Sequence, residues 1–348
     1  MTLDTCSPRV SSRVLDGTGP GRKPEMPVRP STRCADAALT RGEPLGASAV
    51  RYRRFLLLEA PGPWGSSALD EKRMDAGVVR RLAQAAADAD THVVLIRRPG
   101  RHPSGESGSR PARAWAFADT SPEAEQVLWG AWRDPADLLS LDLGAAIPGE
   151  ANAAGPQRLA LVCTNGKRDQ CCAIRGRPVA AAIAAATDWD TWECSHLGGH
   201  RFAATIMLLP AGDMFGWLDP ESALEVLRQF DAGHLAPSHY RGRSGQPFPA
   251  QAALHAAAVR LEDFRRGAVQ VFSVRPAPAE PGTGWPGHPA DGADLWEVEI
   301  IHRTEPSLGT VYRMIMAGSP VAPTILSCAD SKPKVEVRYE ALSFSRVS

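Results

Sequence analysis

Short apolar runs alternate with segments of helical periodicity along most of this chain, and this alternation restricts the fold more than any other feature. RFLLLEA, HVVLIRR and RAWAFAD have the composition of buried strands, and Val78, Val79, Leu82 and Ala86 recur at helical spacing between the first two. In the second half, the buried-type strand RLALVCTNG precedes the Ala-rich helix GRPVAAAIAAAT, which has a Pro near its start. Strands that alternate with helices predict an α/β fold.

Several further elements follow from turn and capping signals. We predict a Ser-capped helix in SPEAEQVLWGAWRDPADLLSL, a capped helix in DPESALEVLRQFDAG and one more helix in QAALHAAAVRLEDFRRG. The segment DTWECSHLGGHRFAATIMLLPAGDMFGWL predicts two strands joined through a Gly-Gly turn. Three more strands are predicted near the end of the chain, in AVQVFSVRPA, DLWEVEIIHR and TVYRMIMAG.

Composition divides the chain into three parts. Residues 1–32 have few large apolar side chains, which predicts a disordered leader. A Gly-, Pro- and Ala-rich stretch at 144–157 has the composition of a linker, so we place a boundary near residue 155. The predicted domains are an N-terminal α/β domain at 33–150 and a C-terminal domain at 156–345. Their similar layers suggest an internal duplication, although no letter-for-letter repeat is visible.

Charge and hydropathy exclude several classes of partner. Lys plus Arg total 39 and Asp plus Glu total 39, so the formal net charge is zero and nucleic acid is not expected as a main partner. No apolar run reaches the roughly 18 residues of a membrane helix, and the polar N-terminus has no apolar core like that of a secretory signal. We therefore predict a cytoplasmic protein without a membrane partner.

Four of the seven cysteines fall between residues 163 and 194, a distribution that suits ligands better than a disulfide framework. Cys163 and Cys172 flank a loop between a strand end and a helix start. His196 and His200 follow at the next strand end, separated by Leu197 and a Gly pair whose flexibility favours a turn that brings both imidazoles to one side. Two thiolates and two imidazoles form a complete four-ligand set.

The residues alone leave other functions open. The same donors suit a structural zinc site of the Cys2His2 type. A thiol-based redox or stress protein could use Cys171 or Cys194 instead. A zinc protease is excluded because Leu197 stands where such a motif needs Glu, and the absence of a CxxC pair argues against a thioredoxin-type dithiol.

Several strings together resemble one known family. CTNGKRDQCCA, WECSHLGGHRFAAT, LPAGDMFG, LLLEAPGPWG and LSCAD resemble the sucrase/ferredoxin-like family over nearly everything after residue 32. The resemblance implies a C-terminal thioredoxin-like ferredoxin, and with the similar first domain it predicts two thioredoxin-like α/β units. "Sucrase" also implies glycoside hydrolysis, but Asp188, Asp190 and Glu193 look like ordinary turn and strand residues.

The resemblance also implies a cofactor. It assigns Cys163, Cys172, His196 and His200 as ligands of a [2Fe-2S] cluster, which would make the chain a single-electron carrier serving a redox partner protein rather than a substrate-converting enzyme. Two thiolates and two neutral imidazoles carry less negative charge than four thiolates, so the potential should exceed that of an all-cysteine cluster. The neighbouring Lys167, Arg168 and Arg201 would either attract an acidic partner or form a solvated basic loop.

Overall fold

A computed structural model describes residues 33–69, 75–100, 112–145, 155–277, 294–305 and 308–347. The predicted leader at 1–32 lies outside these residues. The helices are α1 Cys34–Thr40, α2 Ala76–Asp88, α3 Gln170–Ala186, α4 Pro220–Asp231 and α5 Phe248–Leu261, with short 3₁₀ helices at Pro135–Ser140 and His200–Phe202. The strands are β1 Arg54–Glu59, β2 Thr91–Arg97, β3 Arg113–Asp119, β4 Gln126–Trp132, β5 Leu159–Cys163, β6 Asp190–Cys194, β7 Ile206–Leu209, β8 Asp213–Phe215, β9 Tyr240–Arg243, β10 Val269–Pro276, β11 Asp294–Glu305, β12 Leu308–Pro320 and β13 Val337–Arg346.

Nine strands form one mixed sheet in the order β4-β3-β1-β2-β6-β5-β7-β8-β9. In the first half, β1 and β2 are parallel across α2, and β3 and β4 add antiparallel strands beside β1. The second half repeats this connectivity with β5, α3, β6, β7 and β8. The α/β class is therefore confirmed, and the repeated strand order supports the interpretation of two thioredoxin-like units.

The two halves meet edge to edge inside this sheet. Strands β2 and β6 pair antiparallel, with Ile96 opposite Cys194 and Arg97 opposite Glu193. One buried apolar cluster runs across the junction and includes Leu57, Val94 and Leu161. The domain boundary near residue 155 stays a prediction. The strands before and after it belong to one sheet and share one apolar core.

A second sheet follows the first in sequence. Strands β10, β11, β12 and β13 form an antiparallel meander. Val298, Ile300 and Met314 are fully buried in a cluster with Ala253 and Ala257 of α5. Helix α5 thus covers the inner face of this sheet. No helix in the described part of the chain is both long and apolar enough to cross a membrane.

Two predicted elements were wrong in detail. The predicted helix in residues 121–141 is instead β4 followed by a 3₁₀ helix, because residues 126–132 pair with β3. Gly130 permits this pairing, since a Cβ there would lie 2.3 Å from the ring of Trp115. Helix α3 begins at Gln170, well before Pro178, because the Asp169 side chain caps it by accepting a hydrogen bond from the Cys171 amide.

Candidate metal centres

The end of β5 and the start of α3 bring Cys163 and Cys172 together. Cys163 is the last residue of β5 and Cys172 lies in the first turn of α3, and each is only 2% exposed. Gly176 allows the helix to approach this closely, since a Cβ there would stand 2.2 Å from the Cys163 carbonyl oxygen. The predicted placement of both thiols at a strand-to-helix junction is confirmed.

The HLGGH segment forms a turn, as predicted. Gly198 and Gly199 have φ angles of 72° and 69°, in the left-handed region that favours glycine. The turn places the His196 and His200 rings in a stack, with centroids 4.5 Å apart and planes 22° from parallel. Both imidazoles therefore lie on one side of the turn.

The four predicted ligands are linked by pairwise contacts, from Cys163 to Cys172 and His196 and from Cys172 to His200. The Cys172 Sγ lies 3.4 Å from the His200 Nδ1. The pKa of the Cys163 thiol falls well below its ordinary value because Cys172 and His196 hydrogen-bond to it, an effect that outweighs burial. The hydrogen bond to Cys163, together with burial, raises the pKa of Cys172, so Cys163 ionises first.

The two imidazoles differ in what surrounds their ring nitrogens. Burial, followed by repulsion from His196, lowers the pKa of His200 to about 4, so its ring is uncharged at neutral pH. The buried Nδ1 of His196 has no hydrogen-bond partner among the described residues. Since an unpaired buried ring nitrogen costs free energy, this atom has the chemistry of a ligand position.

A buried arginine supports the turn, and its role was not anticipated from the sequence. Arg241 on β9 is fully buried and donates to the Gly198 carbonyl at 3.2 Å and to the Ser48 Oγ at 3.0 Å. Burial lowers the pKa of its guanidinium to about 9, which leaves it charged at neutral pH, and its charge is attracted to Cys163 and Cys172. No local motif marks this arginine, because it reaches the turn from β9, 43 positions after Gly198.

The first half of the chain also contacts the turn. His92 on β2 lies 3.4 Å, through its Nε2, from the His196 carbonyl oxygen, and its ring stacks on Tyr52 at 4.5 Å. Ser195 continues the β2–β6 pairing through its amide, which donates to the Leu95 carbonyl at 2.9 Å. The turn is thus held from both halves of the sheet.

A second group of donors was missed from the sequence. Cys34 Sγ lies 3.6 Å from Cys171 Sγ, and Cys328 Sγ lies 3.5 Å from both. The nearer Asp169 carboxylate oxygen is 3.5 Å from Cys34 Sγ, and all four donor atoms fall within 4.8 Å of one another. Cys34 and Cys328 are isolated in sequence, 294 positions apart, so no spacing pattern could reveal this cluster.

The carboxylates considered for hydrolysis serve other contacts. Glu193 is buried and accepts hydrogen bonds from Arg97 Nε at 2.8 Å and from Thr164 at 3.0 Å. Asp190 pairs with Arg98, and the Asp188 side chain is 80% exposed. Glu193 and Asp190 are thus held in contacts between strands and loops of the fold, as expected for ordinary strand and turn residues.

The basic residues near the predicted ligands differ in their surroundings. Arg201 is held by Glu43 at 2.6 Å and by Glu336 at 2.7 Å, with its side chain only 12% exposed. Lys167 and Arg168 are exposed. Only these last two are free to meet a partner.

Comparison with protein families gives a match to the sucrase/ferredoxin-like family over residues 45–242, more than half of the chain. The chain belongs to the sucrase/ferredoxin-like family. No curated protein and no solved structure matches it. The family match includes the four predicted ligands as well as Asp169 and Cys171, whereas Cys34 and Cys328 lie outside it.

Proposed function

We propose that this sucrase/ferredoxin-like protein transfers single electrons through a [2Fe-2S] cluster held by Cys163, Cys172, His196 and His200. The observation that carries the proposal is the contact between two buried thiols at the β5–α3 junction and two stacked imidazoles of the turn after β6, where the Cys172 Sγ lies 3.4 Å from the His200 Nδ1. Cysteine and histidine are the donors that bind such clusters. When bound, the cluster would accept and release one electron at a time.

The chain's own groups fit this role. Cys163 ionises readily, as a thiolate ligand must, and His200 is neutral with a free electron pair to donate. The orphaned Nδ1 of His196 would gain the partner that it lacks. The charged Arg241 would offset the negative charge of the two thiolates and of any electron added to the site.

The proposed partner is a redox protein that docks beside His196. This residue lines a cleft of about 670 Å³ together with Tyr52, Leu69, His92 and Arg168. The exposed Arg168 and Lys167 give the rim a positive charge, which favours an acidic surface on the partner. A cytoplasmic location forms part of the proposal, because the cysteines in the described residues are all free.

Anaerobic purification tests the proposal through the absorption spectrum and the iron and sulfide content. We expect a red-brown protein with two iron and two sulfide per chain. Replacement of Cys163, Cys172, His196 or His200 by Ala should abolish or strongly destabilise the cluster, because each change leaves an iron under-coordinated.

Two matched variants control for the loss of any cysteine or histidine. Cys194→Ala removes another buried thiol from the same sheet, and His234→Ala removes an exposed imidazole, so both should retain full iron content. A colourless protein that binds zinc at these four residues would instead support the structural Cys2His2 alternative. Redox activity that survives iron removal would favour the thiol-based alternative.

A further inference from the structure

Three cysteine sulfurs and one carboxylate form a compact group next to the proposed cluster, since Cys171 belongs to this group and the adjacent Cys172 to the cluster. Cys34, Cys171 and Asp169 are buried, and Cys328 is half-buried. The sulfur-to-sulfur distances are 3.5, 3.5 and 3.6 Å, too long for disulfide bonds and nearly equal. The three sulfurs thus define an almost regular triangle.

The size of this triangle matches the face of a tetrahedral metal site. Zinc–sulfur bonds of about 2.3 Å in a tetrahedron place two sulfurs about 3.8 Å apart. The observed separations are within 0.3 Å of that edge. Sulfurs bound to different metals of a cluster would lie farther apart, so the spacing indicates a single ion.

Asp169 is oriented toward this triangle by three hydrogen bonds. Its Oδ2 accepts from the Ser327 hydroxyl and the Cys328 amide, both at 2.8 Å, and its Oδ1 accepts from the Cys171 amide at 2.9 Å. Burial opposes ionisation, but these donors still hold the pKa of Asp169 below its ordinary value. Fixing a ligand by such outer hydrogen bonds is typical of metal sites.

We propose that Cys34, Cys171, Cys328 and Asp169 bind one zinc ion through three thiolates and one carboxylate oxygen. Soft thiolates favour zinc over magnesium or calcium, and four donors complete its tetrahedral coordination. Binding releases the thiol protons of the three cysteines to solvent, while Asp169 enters as a carboxylate. The Cys34 thiol already points at the Cys171 sulfur, to which it donates a hydrogen bond at 3.6 Å.

This ion would join three distant parts of the chain. Cys34 lies on α1, Cys171 in the first turn of α3, and Cys328 between β12 and β13 of the second sheet. The pairs that it connects are separated by 137, 157 and 294 positions. Closing such long loops opposes unfolding, so the zinc has a structural role that does not depend on the proposed iron–sulfur cluster.

Zinc stoichiometry tests this site directly. Wild-type protein, Cys328→Ala and the control Cys194→Ala are incubated with a small excess of zinc chloride, separated from free metal and analysed by mass spectrometry. We expect Cys328→Ala to hold one zinc per chain fewer than wild type, and Cys194→Ala to match wild type. Equal zinc in wild type and Cys328→Ala, or no zinc in wild type, would overturn the proposal.

A second measurement on wild-type protein covers the case in which Cys328→Ala fails to fold. X-ray absorption with one equivalent of zinc should give three sulfurs at about 2.3 Å and one oxygen at about 2.0–2.2 Å. A shell of two sulfurs and two nitrogens would place the zinc at Cys163, Cys172, His196 and His200 and overturn the proposal. A disulfide among Cys34, Cys171 and Cys328, found by peptide mapping, would also overturn it.

Discussion

The Gly199→Ala substitution tests how the HLGGH turn is supported. Gly199 has a φ of 69°, where an L-residue costs about 1–2 kcal/mol. A Cβ at this position would also lie 2.4 Å from Nη2 of the fully buried Arg241 and 3.0 Å from Phe202. Relieving such overpacking costs typically about 1–3 kcal/mol, so the free energy of unfolding should fall by about 2–5 kcal/mol in total.

Gly233→Ala is the matched control. Gly233 has a φ of 81°, and its Cβ would meet nothing within 4 Å, so the variant should lose only the backbone contribution of about 1–2 kcal/mol. Urea denaturation followed by circular dichroism gives both values. Because Arg241 holds the Gly198 carbonyl of the turn that carries His196 and His200, Gly199→Ala should also lose iron while Gly233→Ala retains it. Equal destabilisation and equal iron content in the two variants would refute this account of the turn.

Three further predictions concern other parts of the molecule. Glu193→Gln leaves the buried Arg97 without its anionic partner and should lower the free energy of unfolding, measured by urea denaturation, by about 3–5 kcal/mol. The double change Arg97→Met/Glu193→Met should lower it by less. A larger loss in the double variant would contradict this. A chain that begins at residue 155 exposes the β6 edge and loses the Ser48 contacts of Arg241, so calorimetry should detect no cooperative unfolding transition. A cooperative transition in that chain would show that the second half is stable without these contacts. His200→Cys replaces a neutral ligand by a thiolate, and voltammetry should give a lower potential; an unchanged potential with the cluster retained would argue against His200 as a ligand.

Local patterns were sufficient to predict much of the fold. The α/β class and helices α2, α4 and α5 follow from apolar spacing and caps such as Asp219, which accepts from the Ser222 amide at 2.8 Å. The turn at Gly198 and Gly199 was also predictable, because few residues other than glycine tolerate positive φ angles.

Features that depend on distant contacts were not predictable in this way. Residues 126–132 were predicted as helix but form strand β4. They do so because they pair with β3 and because Gly130 fits against Trp115, and neither contact can be read from the local sequence. The edge-to-edge junction of β2 with β6 joins segments almost 100 residues apart. The Cys34–Cys328 contact spans most of the chain, and Arg241 carries no motif that points to the turn it supports.

The central claim is that two cysteines and two histidines hold a redox-active iron–sulfur cluster. Pulsed electron paramagnetic resonance of the reduced protein tests it most directly, because imidazole nitrogens bound to iron couple to the unpaired electron. We predict two strongly coupled nitrogens in wild type and one in His200→Cys. A reduced cluster without coupled nitrogens, or a protein that contains zinc at these residues and no paramagnetic signal, would contradict the account.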